Sequence, residues 1–187
     1  MRIRRVRKTD AAQMLEIYSP FVTDNCVSFE LQAPSESEFI HRIETFVKLY
    51  PWLVAEQNER IAGYAYASVY RERLAYQWCV ECSVYIHPEQ RGNRVGKNLY
   101  QALFSVLKHM GICNAYAIIT LPNDSSVAFH RYMDFEEVGV FRRVGFKFGS
   151  WHDVYWMVKY LSTENQPSTI KLFSEFSEEE IAEILAV

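Results

Sequence analysis

The stretch from Trp78 to Leu121 narrows the choice of fold more than any other. Trp78 to Ile86 reads as a strand and Pro88 to Gly92 as a loop. Val95 to Met110 then reads as a helix, with Leu99, Leu103, Val106 and Leu107 as one apolar stripe and Gly111 as its stop. Ala115 to Leu121 returns as a buried strand. A long one-sided helix between two apolar strands lays its stripe on a sheet.

The flanking elements extend that sheet. Ile3 to Val6 alternate as a first strand, and Thr9 and Asp10 cap a helix through Met14, Leu15, Tyr18 and Val22. Asp24 to Pro34 lack periodicity and read as a loop, after which Ser35 starts a second helix with Phe39, Ile43, Phe46 and Val47 on one face. Trp52 to Glu56 and Ile61 to Tyr70 form a hairpin across a turn at Gln57 to Arg60. Asn123 to Met133 is a short helix, and Glu137 to Lys147 and Trp151 to Leu161 are the last two strands. Beyond Leu161 the string STENQPST reads as a linker, and Glu178 to Leu185 as a small acidic helix. The expected architecture is α/β (α+β), a mixed sheet with helices on both faces in one domain over residues 1–161, followed by a tail over 162–187.

With 49% hydrophobic and 23% charged residues, the chain of 187 residues is no disordered or low-complexity protein. Its apolar runs stop well short of the roughly 18 residues that a membrane span needs, so neither an anchor nor secretion is expected. Twenty basic against 23 acidic residues leave a net charge of −3, which gives no general field for nucleic acid. The four cysteines, Cys26, Cys79, Cys82 and Cys113, fit free thiols in a reducing cytoplasm. Cys79-x-x-Cys82 has metal spacing, but no second Cys or His pair converges on it, so no metal is expected. Tyr64, Tyr66, Tyr70, Tyr76, Trp78 and Tyr85 crowd one region, as an aromatic-lined cleft or as thick core packing would require.

Val84 to Lys97 carries the chemistry. A strand runs through a basic, glycine-containing loop into a helix N-terminus, where unpaired N–H groups and the positive end of the dipole favour an anionic pyrophosphate. Arg91 and Lys97 would assist, although an ordinary strand-to-helix turn with solvated charges has the same outline. The three glycines of a dinucleotide fingerprint and the Gly-Lys-Ser/Thr of a Walker loop do not occur.

Arg91-Gly92-Asn93-Arg94-Val95-Gly96 resembles the Gln/Arg-x-x-Gly-x-Gly/Ala acyl-CoA loop of the GNAT superfamily of N-acetyltransferases, and the resemblance runs from Arg2 to about Leu161. The phosphinothricin acetyltransferase group is the most similar. Four strings carry that similarity in order: Tyr50-Pro-Trp-Leu-Val-Ala-Glu56, Val80-Glu-Cys-Ser-Val-Tyr-Ile86, Leu121-Pro-Asn-Asp-Ser-Ser-Val127 followed by His130, and Gly145-Phe-Lys-Phe-Gly-Ser-Trp-His-Asp-Val154. The resemblance implies a GNAT fold with a seven-stranded, mostly antiparallel sheet, acetyl-CoA as co-substrate, a small amino-acid analogue as acceptor, and a homodimer.

It also implies roles. Glu81 matches the general base, acting directly or through water, with burial among Tyr76, Trp78 and Tyr85 to raise its basicity. The backbone N–H of Val84 matches the donor to the thioester oxygen, while Tyr85 and Ile86 pair with the pantetheine arm. Arg91 to Lys97 hold the pyrophosphate, Asn123 holds pantetheine, and Ser126 caps the following turn. His130 stands where many members place a tyrosine acid, with Tyr132 as a competing donor. Phe29, Tyr70, Arg71, Arg73 and Tyr76 match the acceptor wall, and two arginines suit carboxylate with phosphinate or sulfoximine oxygens.

Two residues depart from the pattern. Arg94 replaces the loop's first glycine, one residue from the expected helix start, and a right-handed backbone is expected there. Asp134 replaces the glycine before Phe135, at a helix stop that Asp tolerates in the left-handed conformation. Rival readings keep the chemistry with a polyamine, peptide N-terminus or aminoglycoside as acceptor, or take the chain as a non-catalytic acetyl-CoA-binding module.

Overall fold

Helix starts in this chain carry their signals in the side chains. Ser35 accepts from the Glu38 amide while the Glu38 carboxylate accepts from the Ser35 amide, and Ser177 and Glu180 repeat this reciprocal cap. Asp10 behaves differently from expectation. Its carboxylate accepts from the Arg7 amide at 2.7 Å and from the Arg4 guanidinium at 2.8 and 2.9 Å, so it locks the turn before the first helix instead of capping it.

The computed structural model describes residues 1–186. Its strands are β1 (Arg2–Arg5), β2 (Trp52–Gln57), β3 (Arg60–Val69), β4 (Cys79–Ile86), β5 (Asn114–Thr120), β6 (Glu136–Lys147) and β7 (Ser150–Tyr160). The helices are α1 (Ala11–Thr23), α2 (Glu36–Phe46), α3 (Val95–His109), α4 (Asp124–Tyr132) and α5 (Glu178–Leu185). The seven strands form one sheet in the order β1-β2-β3-β4-β5-β7-β6, antiparallel except where β4 meets β5.

Alternation along the strands sends side chains to two cores. Leu53, Ala55, Ala65, Val80 and Cys82 face the α3 stripe of Leu99, Leu103, Val106 and Leu107. Trp52, Val54 and Tyr64 face Met14, Ile17 and Val22 of α1 and Phe39 and Ile43 of α2. The segment after Leu161 is less of a linker than its composition implies. Phe173, Phe176 and Ile181 are buried in the α3 core, the Trp78 indole donates to Ser168 O, and Arg5 lies over the Phe173 ring.

The feature that positions the site is a split in the sheet. β3 and β4 pair from Gly63↔Ile86 to Val69↔Val80, but β4 and β5 pair only at Cys79↔Asn114, Val80↔Ala115 and Glu81↔Tyr116. Beyond Glu81 the two parallel strands diverge. The His87 amide bonds to Ala62 O on β3, so by the alternation of an antiparallel ladder the peptide groups of Val84 and Ile86 point the other way, into the split.

Candidate active site

A groove of about 780 Å³ opens where β4 and β5 part. Val84, Tyr85 and Ile86 form one wall, Arg91, Gly92, Arg94, Val95, Gly96 and Lys97 the end, and Asn123, Ser126, Phe129 and His130 the other wall. Of the expected cofactor residues only Asn93 stands outside this lining, exposed on the loop. A Cβ at Gly96 would stand 3.3 Å from the Phe129 ring, a tight contact that the ring must yield to by a few tenths of an ångström.

Arg94 is a correction to the sequence reading. It lies at φ 60° and ψ 10°, in the left-handed region, as the cap preceding α3, and its carbonyl accepts from the Asn98 amide at 3.0 Å. The loop must reverse sharply to aim the α3 amides into the groove, and this requirement outweighs the steric cost of about 1–2 kcal/mol for a non-glycine residue. The arginine therefore keeps the glycine's backbone and adds a cation. Asp134 is also left-handed, at φ 62°, as expected.

The α4 side differs in detail. Asn123, not Ser126, caps the helix: its Oδ1 accepts from the Ser126 amide at 3.2 Å, which leaves the Asn123 amide nitrogen as a donor. His130 is 5% exposed. Its Nδ1 lies 2.8 Å from Ser126 O and so carries the proton, leaving Nε2 to accept from the Tyr100 hydroxyl at 3.0 Å. Burial lowers the pKa to about 4, against a weaker opposing effect of the Ser126 carbonyl. A neutral imidazole with both nitrogens engaged is no proton store at neutral pH, contrary to its expected role as acid. Tyr132 sits at the groove's outer part with Lys97, whose ammonium lies 5.4 Å from the ring centre and lowers the phenol's pKa.

Glu81 occupies the opposite face of the sheet, between Ser68 on β3 and Tyr116 on β5. Burial raises its pKa, and the nearby charge of Arg71 pulls it partly back. Around it Tyr70 stacks on Tyr116 at 4.5 Å, meets Trp156 edge-on at 6.0 Å and Tyr76 at 5.8 Å, and carries Arg71 over its ring at 5.4 Å. Arg73 is exposed and begins the turn before Tyr76. Phe29 lies against Gly145 on β6, with the His152 ring 6.2 Å away.

The aromatic crowd divides. Tyr64, Tyr66 and Tyr85 stack inside the core, Tyr70 and Tyr76 meet edge-on beside Tyr116, and Trp78 is drawn off to the tail, where its indole donates to Ser168 O. Sequence reasoning passed over Phe21, Asn25, Val27, Gln90, Ser125 and Phe129, which also line the groove. For Phe129 a signal existed in its spacing of one turn from Ser125 and Ser126 on α4. Among the described residues no cluster of His, Cys, Asp and Glu is suited to a metal ion, and no helix is long and apolar enough to cross a membrane.

Residues 3–156 match the family described as acetyltransferase (GNAT) domain. The phosphinothricin N-acetyltransferase of Streptomyces viridochromogenes is 35% identical over 82% of this chain and 85% of its own. An L-methionine sulfoximine/L-methionine sulfone acetyltransferase of Salmonella typhimurium is 30% identical over 89% of this chain and 98% of its own. A crystal structure of a GNAT superfamily phosphinothricin acetyltransferase from Sinorhizobium meliloti in complex with AcCoA superimposes with a TM-score of 0.85 at 33% identity, covering 95% of this chain and 97% of that one.

Proposed function

Because this chain belongs to the GNAT acetyltransferase family, we propose that it transfers the acetyl group of acetyl-CoA to the α-amine of a small amino-acid analogue of the phosphinothricin or methionine sulfoximine and sulfone type, by direct attack in a ternary complex. The observation that carries this reading is the split between β4 and β5, with a groove leading to the α3 N-terminus on one side and a half-buried carboxylate on the other face.

The α3 amides, with Arg91, Arg94 and Lys97, hold the pyrophosphate of the donor. The free peptide groups of Val84 and Ile86 take the pantetheine arm as an added strand, a correction to the expected Tyr85, whose own peptide groups face β3, and the Val84 N–H serves the thioester oxygen as charge gathers on it. The Asn123 amide nitrogen steadies the arm from α4. Glu81, made more basic by burial, takes the ammonium proton of the acceptor directly or through water. With His130 neutral and engaged, the CoA sulfur leaves as thiolate, which is a tolerable leaving group without an adjacent acid because a thiol is far more acidic than an alcohol or amine.

Phe29, Tyr70, Arg71, Arg73 and Tyr76 form the acceptor wall in this reading. Their two arginines favour an anionic acceptor and oppose the polyamine and aminoglycoside alternatives. A homodimer belongs to the reading as well. β6 exposes Val138, Phe141, Val144 and Phe146, and Phe148 and Trp151 continue this apolar surface, which a second copy would cover. The proposed setting is the cytoplasm. A thiol-release assay with acetyl-CoA and phosphinothricin, methionine sulfone or spermidine tests the reading: release with the first two and not the third is expected, and no release with either amino acid overturns it.

A further inference from the structure

Gly145-Phe-Lys147 and His152 belong to a string that the proposed chemistry leaves without a task, yet three of its residues converge on one loop. The Lys147 side chain is almost fully buried, and its ammonium donates to Val22 O at 2.7 Å, Asn25 O at 3.1 Å and Ser28 O at 2.7 Å. These carbonyls come from the end of α1 and the irregular segment after it, which has no ladder to satisfy them. His152 Nε2 lies 3.2 Å from Cys26 Sγ and 3.1 Å from Lys147 O. Gly145 gives the Phe29 ring its seat, since a Cβ at that position would run into it.

We infer that Lys147 is a positioning residue for the acceptor wall: its ammonium gathers loop 22–28 and so fixes Phe29, while Gly145 provides the surface on which that ring rests. The same loop sends Asn25 and Val27 into the donor groove. One buried cation thus sets the spacing between donor and acceptor. Three charge-assisted bonds to carbonyls make it stiffer than any arrangement of side chains the loop itself contains. This inference rests on the proposal that Phe29 belongs to the acceptor wall.

Lys147→Met keeps much of the side chain's length and removes the charge, while Gly145→Ala displaces Phe29 and keeps the lysine. For each variant, a circular-dichroism melt establishes folding. Kinetics with methionine sulfone and acetyl-CoA, and mass-spectrometric rates of Cys26 alkylation by iodoacetamide, then read the loop. Both variants should raise the acceptor KM about tenfold while kcat at saturating acceptor falls less than about threefold, the signature of lost ground-state positioning. Lys147→Met should also speed Cys26 alkylation about fivefold or more as the loop loosens. Unchanged acceptor KM in a folded variant overturns the inference, as does a fall in kcat with KM constant. Should Lys147→Met not fold, Gly145→Ala decides by the same split. If the wild-type protein acetylates no amino-acid acceptor, the functional reading fails, and the clamp is judged on Cys26: an alkylation rate within twofold of wild type overturns it and a faster one supports it.

Discussion

Most of the proposed donor groove comes from two short runs of chain, Val84 to Lys97 and Asn123 to His130, whereas the proposed acceptor side draws Phe29, Tyr70, Glu81, Tyr116, Gly145 and Lys147 from segments scattered over the whole sequence. The donor side relies on backbone: peptide groups of β4 and the amides at the start of α3. The proposed acceptor side relies on side chains, with Tyr70 stacked on Tyr116 and Lys147 tethering the backbone of the loop before Phe29. Backbone sites tolerate substitution and read as a motif. Side-chain sites change their specificity with single residues, which fits a cofactor that is constant and an acceptor that varies.

The largest effect that tests this division belongs to Glu81. In Glu81→Gln, kcat should fall by about a hundredfold or more, the usual range for a lost general base, with acetyl-CoA affinity by calorimetry nearly unchanged. A variant keeping half of wild-type kcat removes the base from this position. Stability supplies an independent check. The folded-state pKa of Glu81 is raised, so the buried charge is destabilising above the unfolded value and harmless below it. At pH 7 the Gln variant should therefore melt no lower than wild type, and its relative advantage should vanish as pH falls below the unfolded pKa.

Arg71 sharpens the same contrast. Arg71→Ala should raise the acceptor KM about tenfold, as for a lost charge-assisted bond of roughly 1.5 kcal/mol, and Arg73→Ala should do less from its exposed position. Because the Arg71 charge holds down the Glu81 pKa, the acid limb of kcat/KM should also move to higher pH in Arg71→Ala. An unchanged KM in the double variant would mean that the acceptor wall lies elsewhere.

His130 comes next. His130→Phe should lower kcat less than about tenfold, the acid role being absent, though it costs about 1–3 kcal/mol of stability by stranding the Tyr100 hydroxyl. A hundredfold loss of kcat on the folded protein would restore His130 as a proton donor. The smallest effect is at the loop. Arg94→Gly should raise stability by about 1 kcal/mol through relief of the left-handed backbone, and a thermal melt a few degrees higher checks it.

The fold was legible because its elements obey their periodicities. The α3 stripe and the helix start at Ser35 appear in the structure where the pattern puts them. What escaped was set by tertiary context. The left-handed turn at Arg94 answers to the direction of α3, which no local preference of arginine reveals. The neutrality of His130 follows from its depth in the core, where its Nε2 meets the hydroxyl of Tyr100, thirty residues away in sequence. Phe173 and Phe176 look like stray aromatics after a polar linker until α3 and Arg5 are beside them. Lys147 reads as one more surface charge in a strand, because its carbonyl partners lie more than a hundred residues earlier.

The split between β4 and β5 also bears on how durable the folded chain is. Peptide groups left open in the middle of a sheet lack the ladder that stabilises their neighbours, and on the proposed reading the molecule that supplies the missing strand must leave after every turnover. The protein therefore alternates between a gapped sheet and a completed one. Ligand that binds only the folded form adds about 2.7 kcal/mol when its free concentration is a hundredfold above Kd. On the proposed reading, binding of the donor therefore stabilises the fold as well as feeding the reaction, most directly along the seam where the two strands part.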